Sequence, residues 1–144
     1  MRLGIKKIEA LSVSRIKDFS FLPDGCKFHL GDYISGTPEE LPFIVENVEY
    51  NEDWVEDSNG KYSNFSLTGL TRKKKEEVRP IFNRLVSTKN IYIISFIDGQ
   101  KAVVGSKEFI PKFKFSDSAS GISKTDLKFT IELQSLHGVL WDTL

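Results

Sequence analysis

The sequence predicts a mainly β protein, an antiparallel β-sandwich or partly closed barrel with one α-helix. The chain has 11 phenylalanines and a single methionine, and bulky aromatic and β-branched side chains favour the pleated, half-buried surface of a sheet. Apolar and polar residues also alternate in several short runs that end at turn residues, which is the pattern of half-buried strands. The length of 144 residues suits a single domain, 1–144, with its own hydrophobic core.

The longest predicted element is a β-hairpin over residues 43–70. Its first arm, FIVENVEYNEDWVE, alternates so that Tyr50 and Trp54 share one face. The sequence DSNG follows, and its Asn-Gly pair accepts the positive φ values of a tight hairpin turn. The returning arm, KYSNFSLTGL, places Phe65 and Leu67 on one face. Arms of about ten residues exceed the usual strand of roughly five or six, so we expect the hairpin to project past the core.

One stretch has the periodicity of an α-helix, at about residues 77–88. Val78, Phe82 and Leu85 recur there at helical spacing. Pro80 is tolerated only near the first turn of a helix, which sets the predicted start. The run IYIISFI that follows is apolar on both faces, as is typical of a strand covered on two sides, and we expect it to be the central strand.

The block FIDGQKAVVGSKEFIPKF, after the helix, is regular and carries no catalytic group. We expect Asp98 and Gly99 to turn the chain and Gly105 to allow a bend or bulge. Phe109 and Phe113 then hold the next strand on the core. Together with the run DLKFTIEL, this block predicts three or four antiparallel strands after the helix.

No residue set has the spacing of a catalytic or metal-binding site, so we predict no enzyme activity, no metal and no cofactor. The single cysteine, Cys26, cannot form an internal disulfide, and His29 and His137 lie outside any nucleophile or metal-ligand pattern. The acidic clusters lack the order of a calcium loop, and the glycines lack a phosphate-loop pattern. An enzyme that uses Cys26 and His29 is the least favoured class, because no local pattern predicts an oxyanion site.

Charge is balanced over the whole chain but divided unevenly along it. Lysine and arginine total 20, as do aspartate and glutamate, so no global field favours nucleic acid or a membrane. Residues 28–60 contain nine acids and no lysine or arginine, whereas residues 61–89 contain eight basic and two acidic residues. This division has two interpretations that both stay open. The surface could meet its own copy head to tail, acid on base, or the charges could pair within one domain.

The candidate contact residues lie on the acidic arm and in the basic run before the helix. This run lacks an aromatic stacking set, so a solvated face is more expected there than a nucleic-acid site. The residues assigned to subunit contacts or to a lumen are Glu46, Glu49, Glu52, Asp53, Trp54, Glu56, Asp57, Arg72, Lys73, Lys74 and Lys75.

The stretch NIYIISFIDGQKAVVGSKEFIPKFKFSDSASGISKTDLKFTIELQSLHG, residues 90–138, resembles the C-terminal half of small tail and neck proteins of tailed bacteriophages and prophages. The resemblance lies in a strand, an acidic turn before glycine, the step GSKE and a closing strand that ends near glycine. It covers about a third of the chain. It implies a β-sandwich or partly closed barrel with one flanking helix, and a long hairpin that reaches neighbouring subunits.

The resemblance further implies a non-enzymatic virion protein of the tail tube, tail terminator or neck, assembled as a homo-oligomeric ring. Its partners would be its own copies and other tail or neck proteins, and DNA would pass without specific binding because lumenal acids repel phosphates. Such a protein is made in the bacterial host cytoplasm. The N-terminal run MRLGIKKIEALSVSRI has no uninterrupted apolar region, which predicts no signal peptide. No apolar run approaches the roughly 20 residues of a membrane helix, so no membrane partner is expected.

An alternative function is a small binding module. Exposed aromatic side chains on a β-sandwich, such as Tyr50, Trp54 and Tyr62, could recognise a carbohydrate or a protein. This alternative differs from the ring in that it needs no self-association.

Overall fold

The computed structural model describes residues 4–15, 36–42, 48–58, 60–71, 75–106, 109–116, 127–135 and 140–141. Strands dominate these residues, and the predicted mainly β class with one helix is confirmed. The strands are β1 Ile5–Ser12, β2 Glu39–Glu40, β3 Glu49–Asp57, β4 Gly60–Thr71, β5 Asn90–Phe96, β6 Lys101–Val104, β7 Lys112–Ser116, β8 Leu127–Ser135 and β9 Leu140–Trp141. The helix α1 spans Lys75–Ser87, and a short 3-10 turn, Val13–Arg15, follows β1.

The strands form two antiparallel sheets that enclose the core in a sandwich-like arrangement. The five-stranded sheet has the order β2-β1-β5-β6-β9, and the four-stranded sheet has the order β3-β4-β8-β7. Every residue of β5 is buried, and this strand lies in the centre of its sheet between β1 and β6. The predicted central strand is therefore confirmed.

The two arms of the acidic hairpin pair along their length as β3 and β4. Tyr50 lies opposite Leu67, on the face of the sheet that points to the core, and Trp54 follows on the same face. Gly60 begins the returning arm with a φ of +112°, which side chains other than glycine rarely adopt. Residues 43–47, where the hairpin was predicted to start, lie outside the described residues.

Helix α1 begins at Lys75, two residues before the predicted start, so that Pro80 lies in its second turn. Proline has no N–H to donate to the carbonyl four residues before it, which removes one helical hydrogen bond. The apolar stripe offsets this loss, because Val78, Phe82 and Leu85 are all buried in the core. The proline alone predicts a start at about residue 77, and the helix begins earlier because burial of the apolar stripe outweighs the lost hydrogen bond.

Strand β5 crosses the four-stranded sheet at a steep angle. Tyr50 on β3 and Phe113 on β7 stand at the two ends of one row of paired residues, and this row runs across all four strands. The Phe96 ring lies 5.6 Å from Tyr50, and the Tyr92 ring lies 6.0 Å from Phe113, measured between centroids. One strand that reaches both ends of the row must run across the others, as in orthogonally packed sheets.

Helix α1 seals the core beside β7. Phe82 packs edge-on against Phe113 and Phe129, at centroid distances of 5.2 Å and 5.7 Å. Arg84, on the outer side of the helix, forms an ion pair with Glu39 of β2. The helix thus connects an edge of the four-stranded sheet with an edge of the five-stranded sheet.

We expect the substitution Gly105→Ala to lower the free energy of unfolding by roughly 2–4 kcal/mol. Gly105 has a φ of +109°, and a Cβ there would lie 2.6 Å from Cδ of Pro111. Gly99→Ala is the matched control, since Gly99 has a φ of +92° but open space around it. Urea denaturation measures both variants, and equal losses would contradict a packing role for Gly105.

We expect the substitution Ser95→Ala to raise the free energy of unfolding by about 1 kcal/mol, because it removes a buried hydroxyl that has no hydrogen-bond partner among the described residues. Ser106→Ala is the control, since Ser106 is also buried but its Oγ accepts the N–H of Phe109 at 3.2 Å. That variant should lose stability. Thermal and chemical denaturation measure the stability of both variants. A loss of stability in Ser95→Ala would contradict the statement that the Ser95 hydroxyl makes no stabilising hydrogen bond.

Candidate functional site

The acidic strand β3 is an edge of the four-stranded sheet. It pairs with β4 on one side, and no strand among the described residues pairs with it on the other. Seven of its nine residues are exposed. An edge strand presents a row of unpaired N–H and C=O groups, which is a template for pairing with another chain. Its five acids are Glu49, Glu52, Asp53, Glu56 and Asp57.

These acids do not form one surface. Side chains alternate along a strand, so Glu49 and Asp53 point to the outer face of the sheet, away from the core. Glu52 and Glu56 point to the core-facing side, as their pairing with Phe65 and Lys61 of β4 requires. The single acidic surface expected from the charge of the arm is therefore divided between two faces, as the period of two residues in a strand requires.

The acids of the hairpin have local contacts that differ in strength. Glu52 is half-buried, and its Oε2 accepts the Ser63 hydroxyl at 3.3 Å. Glu56 and Lys61 form an ion pair at 4.0 Å, but both side chains are 72% exposed, so it contributes less than about 1 kcal/mol. Asn51 donates from Nδ2 to Oδ2 of Asp53 at 2.7 Å. Pairing within the domain, one of the two interpretations of the charge division, therefore occurs here in part.

Trp54 lies on the core-facing side of β3 and yet is 58% exposed. It lies four residues beyond Tyr50 toward the turn of the hairpin, past the point where Phe96 of β5 contacts the sheet. Tyr50 is 36% exposed and Ile97, next to Phe96, is 58% exposed. Three exposed apolar side chains, those of Tyr50, Trp54 and Ile97, thus lie next to the acidic edge strand.

The predicted basic partner is only partly described. Lys75 is the first residue of α1, whereas residues 72–74 and Glu46 lie outside the described residues. The association of the acidic arm with this basic run stays a prediction.

The other edge of the same sheet carries the opposite charge. Strand β7 has the sequence KFKFS, in which Lys112 and Lys114 are exposed on the outer face while Phe113 is buried. It pairs with β8, and no second partner strand is present among the described residues. Lys114 also contacts Glu132 of β8 at 3.2 Å. Sequence reasoning considered only the phenylalanines of this strand, since nothing local indicates that it lies at an edge.

A polar cleft of about 460 Å³ lies on the outer face of the four-stranded sheet. Asp53, Asn64 and Gln134 stand side by side within it, on β3, β4 and β8. The side chains and backbone that line it belong to Asn51, Asp53, Asn64, Phe65, Ser66, Ile110, Lys112, Glu132, Leu133 and Gln134.

The three aromatic residues assigned to a binding surface do not share a face. Tyr62 lies on the outer face, two residues before Asn64, whereas Tyr50 and Trp54 point to the core-facing side. The negative charge of Asp57 raises the pKa of the Tyr62 phenol, with a hydrogen bond between the two side chains acting in the same direction. Of these three residues, Tyr62 is the one that shares the outer face with the cleft.

Among the described residues, no group of three or more histidine, cysteine, aspartate or glutamate side chains could hold a metal ion. Cys26, His29 and His137 lie outside that part of the chain. No helix in the described part is both long enough and apolar enough to cross a membrane. Comparison with models of known families, with curated proteins and with solved structures finds no match for this chain.

Proposed function

We propose that this protein is a non-enzymatic structural subunit of the tail or neck of a bacteriophage-type virion, and that it associates with its own copies into a ring. One observation carries the proposal: the two edges of one sheet are exposed and oppositely charged. Strand β3 has five acids and no basic residue, and β7 has two lysines and no acid. The resemblance of residues 90–138 to tail and neck proteins supports the virion setting.

The charges favour a head-to-tail contact over a symmetric one. Pairing of β3 with β3 of another copy would bring acids against acids, and pairing of β7 with β7 would bring lysines against lysines, so both are disfavoured. A contact between unlike edges attracts. Such a heterologous contact repeats from copy to copy, and it generates a ring when the rotation closes.

The proposed role toward DNA is passive. Glu56 and Asp57 lie next to the turn of the hairpin, and at the wall of a lumen they would repel phosphates and let DNA slide. Lys112 and Lys114 lie on the other edge strand of the same sheet, in line with the part of β3 that is farther from the turn. We therefore assign the repelling surface to the turn of the hairpin and not to the whole face.

We expect the double substitution Glu49→Gln with Asp53→Asn to weaken self-association about tenfold, because it removes two exposed charges that contribute up to about 1 kcal/mol each. Sedimentation velocity or light scattering over a concentration series measures the effect, and added salt should weaken the wild-type protein in the same direction.

The control is the pair Glu40→Gln and Glu77→Gln, which removes two exposed acids outside the four-stranded sheet. It should leave association unchanged. Charges on an edge strand can instead protect it against aggregation. Stronger association of the Glu49→Gln, Asp53→Asn variant would show that role and contradict the proposal, as would a wild-type protein that stays monomeric at all concentrations.

A second candidate function is carbohydrate binding in the polar cleft, and the side-by-side position of Asp53, Asn64 and Gln134 favours it. Amide groups both donate and accept hydrogen bonds, and carboxylates accept them, which matches the hydroxyls of a sugar. A carbohydrate-binding module should bind at least one member of a panel of oligosaccharides, and Asn64→Ala with Gln134→Ala should abolish that binding. Thr68→Ala, on the same face but outside the cleft, is the control. Binding to no oligosaccharide would exclude this function.

A further inference from the structure

We propose that the ring contact is a strand pairing in which β7 of one copy adds to β3 of the next, so that the four-stranded sheets become one continuous sheet. This inference rests on the proposed function and specifies the surface through which it acts. The partner is a second copy of this chain, chosen by the opposite charge of the two edges.

The directions of the strands fit this pairing. Neighbouring strands in the order β3-β4-β8-β7 are all antiparallel, so β3 and β7 run in opposite directions. A neighbouring copy in the same orientation therefore presents its β3 antiparallel to β7. The alternation of strand direction therefore continues across the contact, and the neighbour does not need to rotate about the sheet normal. Antiparallel pairing is also more stable per residue than parallel pairing.

The side chains select one register. Placing Lys114 opposite Glu49 of the neighbouring copy also places Lys112 diagonal to the neighbour's Asp53, so that both lysines meet acids on the outer face. On the core-facing side the same register places Phe113 opposite Tyr50 of the neighbour. Tyr50 is partly exposed in the single chain and gains an aromatic contact.

Two other registers are less favourable for identifiable reasons. A slip of one residue turns every side chain to the opposite face, so that the lysines would meet the core-facing row. A slip of two residues toward the turn of the hairpin places the half-buried Glu52 against Phe113. Pro111 immediately precedes β7 and has no N–H, so it ends the pairing before the turn of the hairpin. Glu56 and Asp57 accordingly extend beyond the contact.

In the part of the chain that the structure describes, both edge strands make their core contacts through one face, and no strand occupies their outer edges. Phe82 of α1 contacts Phe113 and Phe115 from the core-facing side of β7. Lys112, Lys114 and Ser116 remain exposed. On β3 the exposed Trp54 adjoins the contact, which supplies apolar area that a charged edge alone lacks.

Cysteine cross-linking tests the contact. Glu49→Cys and Lys114→Cys are made as separate variants in a Cys26→Ser background, mixed, oxidised and separated without reductant. Directly opposite residues on paired strands have Cβ atoms about 4.5–5.5 Å apart, near the reach of a disulfide. The mixture should give a heterodimer of one chain of each variant, at about ten times the yield of the control, because pairing raises the effective concentration.

The control mixes Lys114→Cys with Glu40→Cys, an exposed residue of the other sheet. A self-linked dimer from Glu49→Cys alone, or from Lys114→Cys alone, would indicate a symmetric contact and overturn the inference. Wild-type light scattering separates the two proposals. If copies associate but the mixed variants do not cross-link above the control, the strand pairing is wrong and the ring stands. If the wild type stays monomeric, the ring itself is wrong.

Discussion

The crossing of β5 over the four-stranded sheet is the contact on which the rest of the structure depends. Tyr92 and Phe96 of this strand reach the two ends of one row of the sheet, at Phe113 and Tyr50. Because β5 is buried on both faces, it orders its own sheet and the opposing sheet together. Its position also decides which part of the acidic hairpin lies over the core, and Trp54 lies past the crossing and is therefore exposed.

In this arrangement, charged side chains determine which strands can pair with the edges of the four-stranded sheet. Helix α1 contacts β7 from the core-facing side through Phe82, and no described strand pairs with the outer edge of β3 or β7. Long edges promote aggregation unless charges or cover prevent it. Five acids on one edge and two lysines on the other disfavour pairing between like edges and permit pairing between unlike ones. The proposed ring follows from that selectivity and needs no catalytic chemistry.

The sequence predicted the helix and strands better than it predicted which side chains share a face of the sheet. The helix is present, and its start is two residues earlier than expected because buried Val78 and Phe82 outweigh the lost hydrogen bond of Pro80. The division of the hairpin acids between two faces followed from the period of a strand, although we considered only their charge. Tyr62 and Trp54 lie on opposite faces for the same reason. Successive residues of a strand point to opposite faces, and Trp54 pairs with the residue that follows Tyr62.

The sequence by itself determined the fold class, the central strand, the helix and the acidic character of the hairpin, because these depend on local periodicity, turn residues and composition. Only the tertiary structure decided which strands lie at edges. Strand order depends on pairing between distant parts of the chain, such as β4 with β8 and β1 with β5, and no local pattern encodes it. For that reason it is the sheet order, and not the local sequence, that places the lysines of β7 at one edge and the acids of β3 at the other edge of the same sheet.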